Sequence, residues 1–133
     1  MKPRLKPGDE ACPCGSGATY VACCGPLHAG AAAADAERLM RSRYSAYVRG
    51  LDAYLLATWD ADTRPAALAL DAEPRPRWLG LTVIAYQPLD ADHATVEFAA
   101  RYKCNGRALR LHETSRFRRT GGRWFYVDGE IGE

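Results

Sequence analysis

Two hydrophobic periods divide the chain. Around residues 36–51 apolar positions recur at helical spacing: Leu39, Met40, Tyr44, Tyr47, Val48 and Leu51 fall on one broad arc with Ala36 inside it. Arg38, Arg41, Ser42, Ser45 and Arg49 fall on the opposite face. Asp35 is placed to cap the first turn and Gly50 to stop the helix. Arg43 breaks the pattern, because it lies between Leu39 and Tyr47 inside the apolar arc. Asp52 opens a second, short helix through Trp59, and Asp62-Thr63-Arg64-Pro65 a third through about Leu70, with proline in its tolerated first turn. Glu73-Pro74-Arg75-Pro76-Arg77 reads as an extended connector.

From Trp78 onward the period is two, which predicts strands over 78–87, 93–103, 107–118 and 123–130. The pairs Asn105-Gly106 and Gly121-Gly122 supply the positive φ angles of two-residue hairpin turns, so the strands are expected to run antiparallel in sequence order. Helices followed by a meander of strands define an α+β fold: three helices packed on a curved four-stranded antiparallel sheet, spanning residues 29–133. Residues 1–28 have no hydrophobic core of their own and read as a separate small module held by other means.

Composition narrows the classes. With 133 residues, 47% of them hydrophobic, the chain suits a single modest core, and no apolar run approaches the ~18 residues of a membrane span. The basic residues 1–7 lead into Gly8-Asp9-Glu10 with no apolar stretch, so a cytoplasmic address is expected. Eighteen Lys and Arg against 16 Asp and Glu disfavour nucleic-acid binding by bulk charge. Residues 107–123 are rich in arginine, which reads as a solvated outer sheet face, with a phosphate-binding stripe as the alternative.

The chemistry sits in the first module. Four of the five cysteines fall in Cys12-Pro13-Cys14-Gly15-Ser16-Gly17 and Cys23-Cys24-Gly25-Pro26. Neither close pair forms an unstrained disulfide at this spacing, whereas two thiolate pairs on a glycine-rich knuckle suit tetrahedral Zn²⁺. A four-thiolate shell leaves no position for water, so the metal is expected to be structural. A reactive dithiol or a vicinal Cys23–Cys24 redox switch is the alternative.

These residues, Cys12-x-Cys14-Gly15-Ser16-Gly17-x-x-Tyr20-x-x-Cys23-Cys24-Gly25, resemble the zinc motif at the C-terminus of the translocase ATPase SecA, and the resemblance implies Cys12, Cys14, Cys23 and Cys24 as ligands. Where that motif often carries lysines, this chain has Ala18, Thr19, Val21 and Ala22. Further blocks, Met40-Arg41-Ser42-Arg43-Tyr44-Ser45-Ala46-Tyr47, Tyr54-Leu55-Leu56-Ala57-Thr58-Trp59, His112-Glu113-x-Ser115-Arg116-Phe117 and Gly122-Arg123-Trp124-Phe125-Tyr126-Val127-Asp128-Gly129-Glu130, resemble the YchJ-type family. That resemblance spans nearly the whole chain and implies a zinc motif joined to a cone-shaped domain similar to nuclear transport factor two. It implies no reaction.

Inside such a cone, Leu109, Leu111, Glu113, Ser115 and Phe117 share one face of the third strand. A buried acid and hydroxyl need partners, and Arg43 is the expected one for Glu113. Arg43, Trp59, Glu113, Ser115 and Asp128 are therefore the candidate pocket residues, while His112 faces the other way unless a bulge turns it. Cys104 reads as a buried small hydrophobe. The favoured function is a non-enzymatic adaptor whose knuckle docks a protein partner, a chaperone or the ribosome by analogy with the translocase motif. The alternative is small-molecule binding or acid–base catalysis in the cone. An open cavity bearing Glu113 without an Arg partner discriminates in favour of the pocket; a filled cone with Arg43 and Glu113 paired discriminates against it.

Overall fold

A computed structural model describes residues 10–132; the basic segment 1–7 lies outside them. A 3₁₀ turn (Tyr20–Ala22) and α1 (Cys24–His28) carry the second cysteine pair, followed by α2 (Ala36–Arg49) and α3 (Asp52–Ala57). Strands β1 (Arg77–Pro88), β2 (His93–Cys104), β3 (Arg107–Thr120) and β4 (Arg123–Ile131) form one antiparallel meander in that order. The expected class and strand order hold. Both short hairpins close through paired left-handed residues, Asn105 and Gly106 at φ 52° and 76°, and Gly121 and Gly122 at 59° and 78°. That turn matches the right-handed twist of the strands, and a residue with a branched Cβ would resist it.

Helix α2 is bounded as its ends dictate. The Asp35 carboxylate accepts from Arg38 N at 2.8 Å, and Gly50 closes the helix at φ 71°. The helix expected over residues 62–70 does not form; the third helix of the chain is α1, in the cysteine segment. Most of residues 61–73 are exposed, so a helix there would bury no face, and so short a helix is marginal on propensity alone. The segment following α3 is instead pinned to β4. Asp60 N donates to Tyr126 O at 2.7 Å, Tyr126 N to Thr58 O at 2.9 Å, and Thr63 Oγ1 to Val127 O at 2.6 Å. These bonds also cover the outer edge of the sheet.

Three irregularities in register curve the sheet and decide which side chains enter it. Along β1 the extra residues are Leu79 and Ile84, both about half exposed, so Trp78, Leu81, Val83 and Tyr86 all face the core despite their uneven spacing. Along β4 the pairs Phe117–Tyr126 and Arg116–Asp128 leave Val127 as the extra residue. The concave face then packs Val96, Phe98, Ala100, Phe117 and Trp124 against Leu39, Met40 and Tyr44 of α2.

The polar face of α2 differs from expectation. Ser42 and Ser45 are fully buried, because the cysteine module packs on that side of the helix. α2 is thus sandwiched between cone and knuckle. Its serines are small enough for close approach and find partners locally: Ser42 Oγ donates to Leu39 O at 2.7 Å, and Ser45 Oγ to Cys24 Sγ at 3.3 Å.

Candidate functional site

The knuckle is a loop closed by a bridge between Ala11 and Thr19, with Cys12 N donating to Ala18 O at 2.9 Å. Gly15 and Gly17 turn it at φ 77° and 88°. Cys23 ends the 3₁₀ turn and Cys24 begins α1. The four Sγ atoms of Cys12, Cys14, Cys23 and Cys24 converge to within 4.8 Å of one another, with Cys14 to Cys23 at 3.6 Å and Cys23 to Cys24 at 3.9 Å. Sulfurs about 2.3 Å from a tetrahedral ion stand about 3.8 Å apart, so the donor set and its spacing fit a thiolate-bound metal ion.

The electrostatics also call for a cation. The Cys24 thiol donates to Cys14 and brings its pKa down to about 4 against the opposing effect of burial. The same bond, with burial, pushes Cys24 far above the ordinary thiol value, and burial pushes Cys23 up as well. One thiolate suppresses the next, and a dication bound among the sulfurs would offset that suppression. Around the sulfurs, Ser16 Oγ lies 3.2 Å from Cys23 Sγ and Ser45 Oγ 3.5 Å from Cys12 Sγ, while Arg41 donates to Cys14 O at 2.9 Å. Cys12, Cys14 and Cys24 are buried, and the exposed side consists of Gly15, Ser16, Gly17, Val21 and Ala22.

Knuckle and cone are joined through His28, which is not among the clustered thiol ligands. Its Nε2–H donates to Ser42 O at 2.8 Å, so Nδ1 accepts from the Tyr20 hydroxyl at 2.5 Å. The ring also meets Tyr54 edge-on at 4.6 Å, and Arg49 caps the Tyr20 ring at 4.1 Å. Tyr54 in turn donates to Ser42 Oγ at 2.7 Å. Burial pulls the His28 pKa below the ordinary value, which keeps the neutral tautomer in place. The sequence reading missed Tyr20, His28, Ser42, Ser45 and Arg41 as a set. The signal that could have found them is the pair of small residues Ser42 and Ser45 on one face of α2, where a second element can approach closely.

Under α2 the cone holds a cavity of about 260 Å³. Its wall includes Tyr44, Tyr47, Trp78, Phe98, Phe117 and Tyr126, and its charged residues are Arg43 and Glu113. Arg43 is 5% exposed, and burial lowers its pKa. It forms no ion pair with Glu113, contrary to expectation. Its Nη1 donates to Leu55 O and Thr58 Oγ1, both at 2.7 Å, which satisfies a carbonyl at the C-terminal end of α3. Its guanidinium lies over the rings of Trp59 and Tyr126, at 5.1 and 4.6 Å from their centres. Glu113 instead accepts from Ser115 and, at 3.4 Å, from the Tyr126 hydroxyl, both at Oε2. Burial and the Glu113 charge push the Tyr126 pKa up, so its hydroxyl keeps the proton it donates. Oε1 has no partner among the described residues.

Arg43, Glu113 and Ser115 thus line the cavity, and two candidates do not. Trp59 stands behind Arg43, edge-on to Tyr126 at 5.0 Å, with its indole N–H buried and unpartnered. Asp128 lies on the opposite face in a two-bond pair with Arg116, at 2.6 and 2.8 Å, because the extra residue Val127 inverts the alternation of β4. The same inversion places Gly129 inward, where a Cβ would overlap the Glu113 carboxylate. His112 lies outside the cavity, 2.6 Å from Glu97. Cys104 is half-buried, not buried. The arginines of β3 are largely neutralised: Arg116 by Asp128, Arg118 by Asp60 and Asp62, Arg119 by Asp92.

A four-cysteine knuckle clamped onto a cone with a charged, aromatic cavity defines a two-part class of protein. Residues 35–129 match the family described as "YchJ, middle NTF2-like domain", and residues 10–26 match the SEC-C motif. The chain belongs to the YchJ family. It is 54% identical over 127 residues to a UPF0225 protein of Xanthomonas oryzae, covering 95% of this chain and 98% of that one. It is 57% identical over 133 residues to one of Ralstonia nicotianae, covering 91% of each. The fold is shared with a SEC-C motif containing protein from Rhodopseudomonas palustris, solved in solution, at TM-score 0.81 and 36% identity over 92% of this chain and 98% of that one. A second, from Psychrobacter arcticus, gives TM-score 0.78 at 29% identity over 95% and 85%.

Proposed function

We propose that this protein is a zinc-stabilised, small-molecule-binding protein of the cytoplasm, with the ligand seated in the cone. The observation that carries the reading is the cavity of about 260 Å³ whose carboxylate, Glu113, has no ion-pair partner among the described residues. Glu113 is half-buried, and facing a cavity lined mostly by aromatic side chains it supplies the directional contact that binding sites use. Zinc is supported by the all-sulfur donor set and its spacing, and it serves to hold α2 from the outside. The five free cysteines suit a reducing compartment, and no described helix is long and apolar enough to cross a membrane.

The test is a fragment panel followed by amide and side-chain shifts of the zinc-loaded chain. Shifts gathered on Met40, Trp78, Phe98 and Leu111, and lost on filling the cavity with Ala100→Phe, support the pocket. Shifts scattered over the surface, or none, overturn it.

The exposed rim of the knuckle supports a second reading, a docking site for a protein partner such as a chaperone or the ribosome. Val21 there is 57% exposed beside Gly15, Ser16, Gly17 and Ala22. Val21→Glu should abolish capture of that partner and leave fragment binding intact; unchanged capture removes the adaptor role.

A further inference from the structure

The charges and rings of the cavity specify more than a small molecule. Resting on the pocket reading above, we propose that the ligand is an organic ammonium ion held by Glu113 among the aromatic side chains of the cone.

Glu113 Oε2 already accepts from Ser115 and Tyr126, which fix the carboxylate, and Oε1 stays free. The other charged group of the wall, Arg43, attracts it only through space and makes no hydrogen bond or ion-pair contact with it among the described residues. One Arg43 nitrogen is committed to Leu55 O and Thr58 Oγ1, and the guanidinium plane to the faces of Trp59 and Tyr126. An anionic ligand would meet an unpaired carboxylate. A purely apolar ligand would strip water from Oε1 and return nothing. A neutral donor would satisfy Oε1 without answering its charge. An ammonium ion supplies both a charge-assisted hydrogen bond and a positive edge for ring faces.

The rings are arranged for the rest of such a ligand. Trp78 is packed by Tyr44 at 5.8 Å and Tyr47 at 6.0 Å, forming an aromatic wall, and Phe117 meets Tyr126 edge-on at 5.8 Å. Phe98 pairs directly with Glu113 across the β2–β3 ladder. The volume of about 260 Å³ admits one ring and its substituent and excludes larger ligands. Gly129 deepens the floor beneath the carboxylate, since any side chain there would take the space Glu113 occupies.

Three probes of matched size separate the claims: toluene, benzyl alcohol and benzylammonium, titrated calorimetrically into the full zinc-loaded chain at neutral pH. Benzylammonium should bind at least about tenfold more tightly than benzyl alcohol, the scale of one charge-assisted bond. Glu113→Gln, which still accepts from Ser115 and Tyr126, should erase that preference and leave toluene affinity unchanged. Equal binding of all three, a preference for benzyl alcohol, or a preference that survives Glu113→Gln overturns the ammonium ligand and leaves the pocket standing. Binding of none overturns both. Should Glu113→Gln fail to fold, shift mapping on the wild-type chain decides. Benzylammonium must then move the amides of Glu113 and Ser115 where toluene moves only Trp78 and Phe98; identical maps overturn the proposal.

Discussion

Tyr126 touches both charges of the cone, the buried Arg43 and the half-buried Glu113: its ring centre lies 4.6 Å from the Arg43 guanidinium carbon, and its hydroxyl donates to Glu113 across 3.4 Å. The ring face meets the cation and the hydroxyl meets the carboxylate, while the two charges make no direct ion pair. Arg43 is left to the end of α3, and Glu113 to the cavity.

Arg43 is therefore a structural cation. Arg43→Met should cost about 3 kcal/mol, because Leu55 O and Thr58 Oγ1 lose a charged donor inside the protein. Arg43→Lys should recover little of this, since an ammonium cannot both donate and lie flat on two rings. Denaturant titration measures both; a lysine variant as stable as wild type would refute the role of the planar fork.

Metal removal should loosen both sides of α2. Cys12 and Cys24 contact Ser45, and Arg41 holds Cys14 O, so an ion bound by the four cysteines would tie the knuckle to α2. Chelation, or Cys14→Ser, should lower the melting temperature by about 10 °C or more, the scale of a tightly bound ligand on a domain of this size. A melting curve indifferent to chelator would show that the metal is not structural.

His28 sets a pH dependence. Burial lowers its pKa in the folded state, so on acidification the unfolded chain takes up the proton first. Stability should fall as pH drops below about 6.5, the unfolded value, and level off once the lowered folded value is passed. His28→Gln should flatten this part of the curve relative to wild type, read by thermal melts between pH 5 and 8 at about half-unit steps. Identical slopes would exclude His28 as the source.

Asp60 gives the opposite limb. Burial alone would raise its pKa, but the Asp62 N–H and the Arg118 fork bring it below the ordinary carboxylate value. The stability it contributes is present above the unfolded pKa of about 4 and is lost as pH falls through the folded value. Asp60→Asn should cost about 1–3 kcal/mol at neutral pH and make acid unfolding shallower. A variant with wild-type stability at pH 7 would reduce the pair to a surface contact.

Gly129→Ala should destabilise the chain by about 1–3 kcal/mol, because the new methyl group overlaps the Glu113 carboxylate. The Ser115 and Glu113 amides should shift the most. Shifts confined to the β3–β4 edge without them would mean that Glu113 does not rest on Gly129.

Much of this was legible in local pattern. Asp35 and Gly50 bounded α2, and the turns Asn105-Gly106 and Gly121-Gly122 fixed two hairpins, because capping and positive φ depend on neighbouring residues alone. The placement of Glu113 and Ser115 on the concave face followed from strict alternation along β3. Asp128, also a pocket candidate, points the other way: alternation holds only while no residue is inserted, and Val127 is one. The helix expected near residues 62–70 failed because its propensity had no face to bury, while hydrogen bonds to β4 were within reach.

The sequence by itself determined α2, the four-stranded meander and the four clustered cysteines, since each is written in spacings of a few residues. Tertiary structure alone decided that α2 has two buried sides, that Arg43 turns to α3 and the rings of Trp59 and Tyr126, and that Glu113 faces a cavity without a direct ion pair. Those outcomes depend on which distant groups the fold brings within reach of a given donor or acceptor, and close packing leaves room for only one arrangement.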